Sequence, residues 1–393
     1  MSNKKSKTYP IKSKGKYFLF LCLYIFLYPL ALLLYGRKNK WIICERGDDA
    51  QDNGFIFFKY VAENHPEIKP VYLIKKSSKD YQKVSSIGKT VEFGSFKHFL
   101  MCIGSPVKIS SNLFGYAPWI QMTTYYRRNK ARGVHVFLQH GVTKNTHVNF
   151  YKENCMSLTH FICGAKPEYE FINADFHYNN ETPKYTGFAR FDFLLPFETN
   201  KEILIMPTWR ANLVNLSSED FAKTDFCTKW NSLLQNSKLI ELCKSKGIKI
   251  KFYLHYQFQK YSSLFKGNEV VQIMKYGEET VQALLKETIL LITDFSSVFF
   301  DYTYMDKPII FYQFDEEDYY SHHYEKGYFD YRRDGFGPVR LEEAEVVYDV
   351  LELASKDFKN SEEYQKRSDR FFEFKDKDNS LRIFNSIMEV IIK

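Results

Sequence analysis

Five short polar clusters, each at the end of an apolar run, carry the residue types that handle anions and protons. In Leu290–Tyr312 (LLITDFSSVFFDYTYMDKPIIFY) the run ends at Asp294, and Ser296 and Ser297 follow where a helix is expected to begin. Either serine can be the N-cap. A helix N-terminus offers free N–H groups and partial positive charge, so two hydroxyls beside it suit a phosphate. Simple capping accounts for one serine but not for both. In Val136–Asn145 (VFLQHGVTKN) His140 stands at the C-terminal edge of a buried strand, where doubly wound sheets place ligands. Its imidazole can take a proton from an attacking hydroxyl, and Gly141 allows a tight turn beside it. A hydrogen-bonded structural histidine is the competing reading. His255 closes the run IKIKFYLHY in the same way. In ILIMPTWR, Pro207 stops a strand, Thr208 offers a hydroxyl and Arg210 a two-pronged anion fork. Arg190 lies in GFARFD. Singly these read as a turn threonine and surface arginines. Five polar strand-end clusters pointing into one cleft are harder to dismiss together.

Other suggestive strings carry less. Gly88-Lys89-Thr90 resembles the end of a nucleotide-binding loop, but Lys83 stands where that loop needs its first glycine. Asp315–Asp318 (DEED) lacks ordered ligand spacing and reads as a solvated acidic loop. The adjacent His322 and His323 cannot easily face one metal, and read as surface or cleft lining. HExxH, GxSxG and GxGxxG are all missing, so no metal or cofactor is expected.

The elements that must position these clusters alternate between strand and helix. Trp41–Cys44, Val71–Ile74, Val107–Ser110 and Val134–Leu138 form one series of apolar strands, with a helix over Gly54–Asn64. A second series runs through Glu202–Met206, Ile248–Leu254, Ile289–Thr293 and Pro308–Tyr312. Ser361–Lys393 reads as helical. Such alternation predicts an α/β protein with two Rossmann-like halves facing a cleft. A chain of 393 residues is long enough for two cores. The expected domains are residues 41–197 and 198–393, behind a separate segment of residues 1–40.

That first segment holds the charge. The whole chain carries +8, yet residues 1–40 contain nine positive residues and no acidic one, which leaves the remainder near −1. The folded body is therefore not a nucleic-acid binder. Between Lys12, Lys14 and Lys16 on one side and Arg37, Lys38 and Lys40 on the other runs uncharged Tyr17–Gly36. As a helix it measures about 30 Å, enough to span a bilayer. Three readings stay open: a span, a helix lying in the interface with both basic flanks on anionic headgroups, and a core helix. The seven cysteines show no CxxC pair, which points to a reducing compartment rather than a disulfide framework.

Taken together, QHGVTKN, GFARFD, ILIMPTWR, the strand-end His255, TDFSSVFFDY and KPIIFYQFD resemble the CDP-glycerol glycerophosphotransferases of bacterial teichoic-acid and capsule synthesis. The motifs run in order from about Val134 to Pro338. The resemblance implies a GT-B fold with an N-terminal acceptor domain and a C-terminal donor domain. It implies transfer of glycerol phosphate, or a related polyol phosphate such as ribitol phosphate, from a CDP-linked donor to a lipid-linked acceptor at the cytoplasmic face of the membrane, releasing CMP. It makes His140 and His255 the catalytic pair. It places Thr208, Arg210, Asp294, Ser296, Ser297, Asp301 and Arg190 on the donor and its phosphates. Departures from the family pattern are Gln139 before the first histidine, Ala189 in GFAR and Tyr256 after the second histidine. Two alternatives share the elements: a glycosyltransferase using a nucleotide-sugar, and an inactive scaffold of polysaccharide assembly.

Overall fold

The computed structural model describes residues 11, 13–145, 155–176, 178–179, 181–322 and 325–392. The chain divides into two compact units. The first comprises Met1–Val142, His147–Phe193 and Asp376–Lys393; the second comprises Thr143–Thr146 and Leu194–Lys375. Each is an α/β unit on its own parallel sheet, as the alternation of elements predicts.

The first sheet has seven strands: β1 (Trp41–Cys44), β2 (Val71–Ile74), β3 (Lys89–Glu92), β4 (Val107–Ser110), β5 (Val134–Phe137), β6 (His160–Cys163) and β7 (Pro183–Tyr185). Their order is β3-β2-β1-β4-β5-β6-β7, every pair parallel. Strands β1, β2, β4, β5 and β6 are buried along their whole length, because helices cover both faces of a parallel sheet. That burial is why they stand out as apolar runs. The strand order switches direction across the sheet between β1 and β4, which opens a crevice past their C-terminal ends. Gly88-Lys89-Thr90 falls at the start of the edge strand β3, not in a phosphate loop.

Helix α1 (Lys14–Tyr35) belongs to this unit rather than standing apart from it. Phe20, Tyr24, Leu27 and Ala31 recur at helical spacing and are buried, with Phe20 against Phe99 and Tyr24 against Tyr125. Gly104 makes the close crossing possible: a Cβ there would strike the Ala31 carbonyl. The opposite face stays bare, with Phe26 and Leu33 each 80% exposed.

The second sheet has six strands: β8 (Glu202–Ile205), β9 (Lys249–Tyr253), β10 (Val271–Met274), β11 (Leu290–Thr293), β12 (Ile309–Tyr312) and β13 (Val339–Arg340). The order β10-β9-β8-β11-β12-β13 repeats the plan of the first, with the reversal between β8 and β11. Trp230 anchors its core edge-on to Tyr312, their ring centroids 5.2 Å apart.

The end of the chain departs from expectation. Ser361–Lys393 breaks into helices Glu362–Phe371 and Asn379–Ile392, and the second returns to the first unit. Its apolar face drives the return. Phe384 stacks on His65 at 3.6 Å and meets Trp41, while Ile383 and Ile387 are buried. Asp192 accepts the backbone N–H groups of Asn379 and Ser380, each at 2.9 Å. The division thus lies at Phe193–Leu194 with a C-terminal exchange, not at 197–198 with residues 198–393 in one piece.

Candidate active site

In the first unit, three loops past the C-terminal ends of β1, β4 and β5 meet at His140. Its Nδ1 faces Asp52 Oδ2 at 2.7 Å and its Nε2 faces Asn112 Oδ1 at 2.5 Å. Asp52 is the N-cap of helix Asn53–Asn64, so its carboxylate is aimed by the helix it starts. Burial works to raise the Asp52 carboxyl, but the Arg190 guanidinium and the His140 contact hold it below its usual value. Arg190 Nη1 donates to Asp52 Oδ1 at 3.0 Å and also to the His140 carbonyl. Buried Glu45 fixes the loop before Asp52, accepting the N–H groups of Gln51, Asp52 and Phe55 within 3.0 Å. Asn112 Nδ2 donates to the Glu45 carbonyl at 3.2 Å, which turns Oδ1 toward the imidazole.

The tight turn beside His140 is not made by Gly141. Gln139 takes the left-handed conformation, with φ 61°, and its buried side chain donates to the Ile162 carbonyl at 2.5 Å and to Glu168 at 3.1 Å. A non-glycine residue held there stores strain, which these two bonds offset. Thus β5 hands His140 to the crevice on a strained, anchored residue.

In the second unit, the loops after β8, β11 and β12 are stapled by carboxylates. Asp294 Oδ1 accepts the N–H groups of Thr208 at 2.8 Å and Phe295 at 2.6 Å. This puts Thr208 and the Ser296–Ser297 pair in one loop junction at the sheet's reversal. Arg210 is buried, and its donors are spent inside the protein. It donates to Asp294 Oδ2 at 2.8 Å, to both Asp315 oxygens at 2.8 and 2.9 Å, and to the Thr208 carbonyl at 2.6 Å. Arg210 is therefore not a free fork for a ligand phosphate, and buried Asp294 is a staple rather than a phosphate ligand. Asp315 likewise departs from the solvated loop expected of DEED, because it completes the Arg210 clamp. Burial works to lower the Arg210 pKa, but Asp294 and Asp315 override it and raise it above its ordinary value.

Three groups at this junction remain available. Thr208 Oγ1 is buried with no hydrogen-bond partner among the described residues, so its donor is not committed to the protein. Ser297 is exposed and Ser296 half-buried, with Ser296 Oγ accepting the Val298 N–H at 3.4 Å. Neither serine is the N-cap: helix Phe299–Tyr304 starts after Val298 and has only six residues. The expected contribution of the helix terminus shrinks accordingly, and the hydroxyls remain. Asp301 sits buried in that helix's first turn. His255 follows β9, stacks on Trp209 at 5.8 Å, and accepts the Gln257 N–H on Nδ1 at 3.3 Å. Burial lowers its pKa to about 4, so at neutral pH its one proton lies on Nε2 as a donor.

The structure thus gathers the expected residues as two clusters, His140 with Arg190 in the first unit, and Thr208, Arg210, Asp294, Ser296, Ser297 and His255 in the second. Asp52, Asn112 and Asp315 were not expected. Asp52 carried a signal, an acidic residue just ahead of a helix. Asn112 and Asp315 carried none beyond lying past a strand end. Lys144, from the His140 motif, belongs to the second unit and is buried there over Tyr331. Burial, opposed by Asp294, lowers its pKa to about 7. Of the basic flanks, Lys14 and Lys16 open α1 and Arg37 and Lys38 follow it, all exposed, while Lys40 is half-buried. Lys12 and His323 lie outside the described residues. His322 is exposed and paired with Asp318 at 3.0 Å. Among the described residues no group of three or more His, Cys, Asp or Glu could hold a metal ion.

The profile of the family described as CDP-Glycerol:Poly(glycerophosphate) glycerophosphotransferase matches residues 27–389. Over 91% of this chain, the sequence is 32% identical to the minor teichoic acid biosynthesis protein GgaB of Bacillus subtilis, but spans only 40% of that protein's length. It is 24% identical to a teichoic acid poly(glycerol phosphate) polymerase of Bacillus spizizenii, covering 90% of this chain and 93% of that one. The fold is similar to that of the wall teichoic acid polymerase TagF, with TM-score 0.69 and 17% identity over 97% of this chain and 99% of that chain.

Proposed function

The chain belongs to the CDP-Glycerol:Poly(glycerophosphate) glycerophosphotransferase family, and from that premise we propose that it transfers glycerol phosphate from CDP-glycerol to a hydroxyl of a lipid-linked acceptor in teichoic acid synthesis. The observation that carries this reading is the setting of His140. A carboxylate on Nδ1 holds a proton on that nitrogen, and Nε2, which faces Asn112 Oδ1 at 2.5 Å, serves as the base once the acceptor hydroxyl displaces that amide. When the acceptor hydroxyl attacks the distal phosphorus, its proton passes to Nε2. The bond from that phosphorus to the bridging oxygen breaks, and CMP leaves with the electron pair. Asp52 then balances the imidazolium from Nδ1, and Asn112 returns to Nε2–H when the product leaves.

The second unit supplies the donor side. Thr208 Oγ1, the Ser296 and Ser297 hydroxyls and His255 Nε2–H are neutral donors, suited to equatorial phosphate oxygens as charge builds there. Arg210, Asp294 and Asp315 position them. Helix α1 supports a place at the membrane surface. One face is packed on protein along its length, so we read it as lying in the interface with its bare face in lipid rather than spanning. With the family's substrate, this supports a place at the cytoplasmic leaflet.

The test is incubation of the full chain with CDP-glycerol, CDP-ribitol or a UDP-sugar and membrane lipid acceptor, following released nucleotide. CMP from CDP-glycerol is expected, and His140→Ala should lower its rate about 10²–10⁴-fold. Release of UDP from a UDP-sugar instead would establish the glycosyltransferase alternative. No turnover of any donor would leave the scaffold reading standing.

A further inference from the structure

At the end of the first sheet away from His140 lies a cavity of about 400 Å³. Leu34 and Tyr35, from the last turn of α1, form one wall. Lys40, Lys69, Lys89 and Lys97 form its rim, and no carboxylate lines it. Lys40 precedes β1, Lys69 precedes β2 and Lys89 opens β3, so three of the four converge at the N-terminal strand ends. Asp52, Asn112 and His140 lie past the C-terminal ends, so this is a different place from the candidate active site. None of the four ammonium groups has an ion pair among the described residues. Glu67, close in sequence to Lys69, faces His65 at 3.5 Å. Burial, then the charges of Lys69, Lys89 and Arg37, hold Lys40 below its ordinary pKa. Like charges held together around an apolar-walled cavity are unfavourable unless an anion joins them.

We propose that this cavity is a lipid-phosphate site, taking the anionic headgroup of a membrane phospholipid whose acyl chains run along the bare face of α1. Charge complementarity names the headgroup, and continuity with Leu34 and Tyr35 names the lipid. The inference rests on the interfacial reading of α1. It adds selectivity: α1 binds any bilayer, while the lysines distinguish an anionic one. Because the site lies at the opposite end of the sheet from His140, the bound lipid is a tether and not the acceptor.

Sedimentation of the full chain with vesicles of pure phosphatidylcholine and of phosphatidylcholine with phosphatidylglycerol tests this. The wild type should prefer the anionic vesicles. The variant Lys69→Gln/Lys89→Gln/Lys97→Gln should lose that preference roughly 100-fold, at about a factor of five per lysine. It should bind neutral vesicles as the wild type does, with an unchanged Tm. The control Lys223→Gln/Lys238→Gln/Lys266→Gln, with the same change in net charge, should retain the preference. Equal loss in both variants would show diffuse attraction and overturn the site. Anionic preference intact in the first variant would overturn it as well. Saturable binding of inorganic phosphate, with vesicle binding equal in wild type and variant, would mark a soluble-anion site and overturn the lipid assignment. A wild type that sediments with neither vesicle would instead refute the interfacial reading of α1.

Discussion

His140 is held by an oxygen acceptor on each ring nitrogen, and the two acceptors have different work. Asp52 orients the ring. Asn112 lies on Nε2, so in the proposed reaction the entering hydroxyl would displace it. Asp52→Asn would remove the charge that balances the imidazolium but keep the helix cap. CMP release should fall about 10²–10⁴-fold, with some loss of Tm because buried Arg190 loses its ion pair. An unchanged rate would remove Asp52 from the proton path. Thr208 gives the complementary case. Its hydroxyl is buried without a partner among the described residues, so Thr208→Val should leave the Tm equal or slightly higher. If that hydroxyl meets a charged phosphate oxygen, kcat/KM should drop about 10–100-fold, the loss of a hydrogen bond of about 1.5–3 kcal/mol. A drop in both Tm and activity would mark Thr208 as structural.

At the scale of elements, the crossing of α1 over helix Phe96–Gly104 depends on a missing side chain. Gly104→Leu would place atoms where the Ala31 carbonyl lies and lift α1 from the unit. We expect about 1–3 kcal/mol of destabilisation and faster proteolysis within Lys14–Tyr35. Slow, unchanged proteolysis would show that the crossing adapts. The same scale explains what could be read from the amino-acid order. Central strands such as Trp41–Cys44, Val71–Ile74 and Leu290–Thr293 were legible because burial on both faces demands an unbroken apolar run. Edge strands Lys89–Glu92 and Val271–Met274 were not, since half their residues face water and Lys89 and Gln272 are exposed. Strand-end residues were legible as places, and His140, Thr208 and His255 were found that way. Their partners were not: Asn112 and Asp315 reach the sites only through sheet order, which brings β4 beside β5 and β12 beside β11.

Across the molecule, buried histidines couple stability to acidity. Burial lowers His98 and His160 to about 4 and His135 well below its ordinary value, all three in the first unit. In the unfolded chain they titrate near the ordinary value of about 6.5. Between that value and about 4 the unfolded chain takes up protons that the folded one refuses, so stability falls as pH falls. The loss is at most about 1.4 kcal/mol per pH unit per histidine. The Tm should therefore decline steadily from pH 6.5 to 4.5, and a flat profile would mean these rings protonate without unfolding. The return of helix Asn379–Ile392 to the first unit has a consequence of another kind. The surface around Trp41, His65 and Asp192 can be covered only after the ribosome has made Phe384 and Ile387. The second unit, complete by Lys375, can close before the first, so the unit whose strands are made earlier is the later one to be sealed.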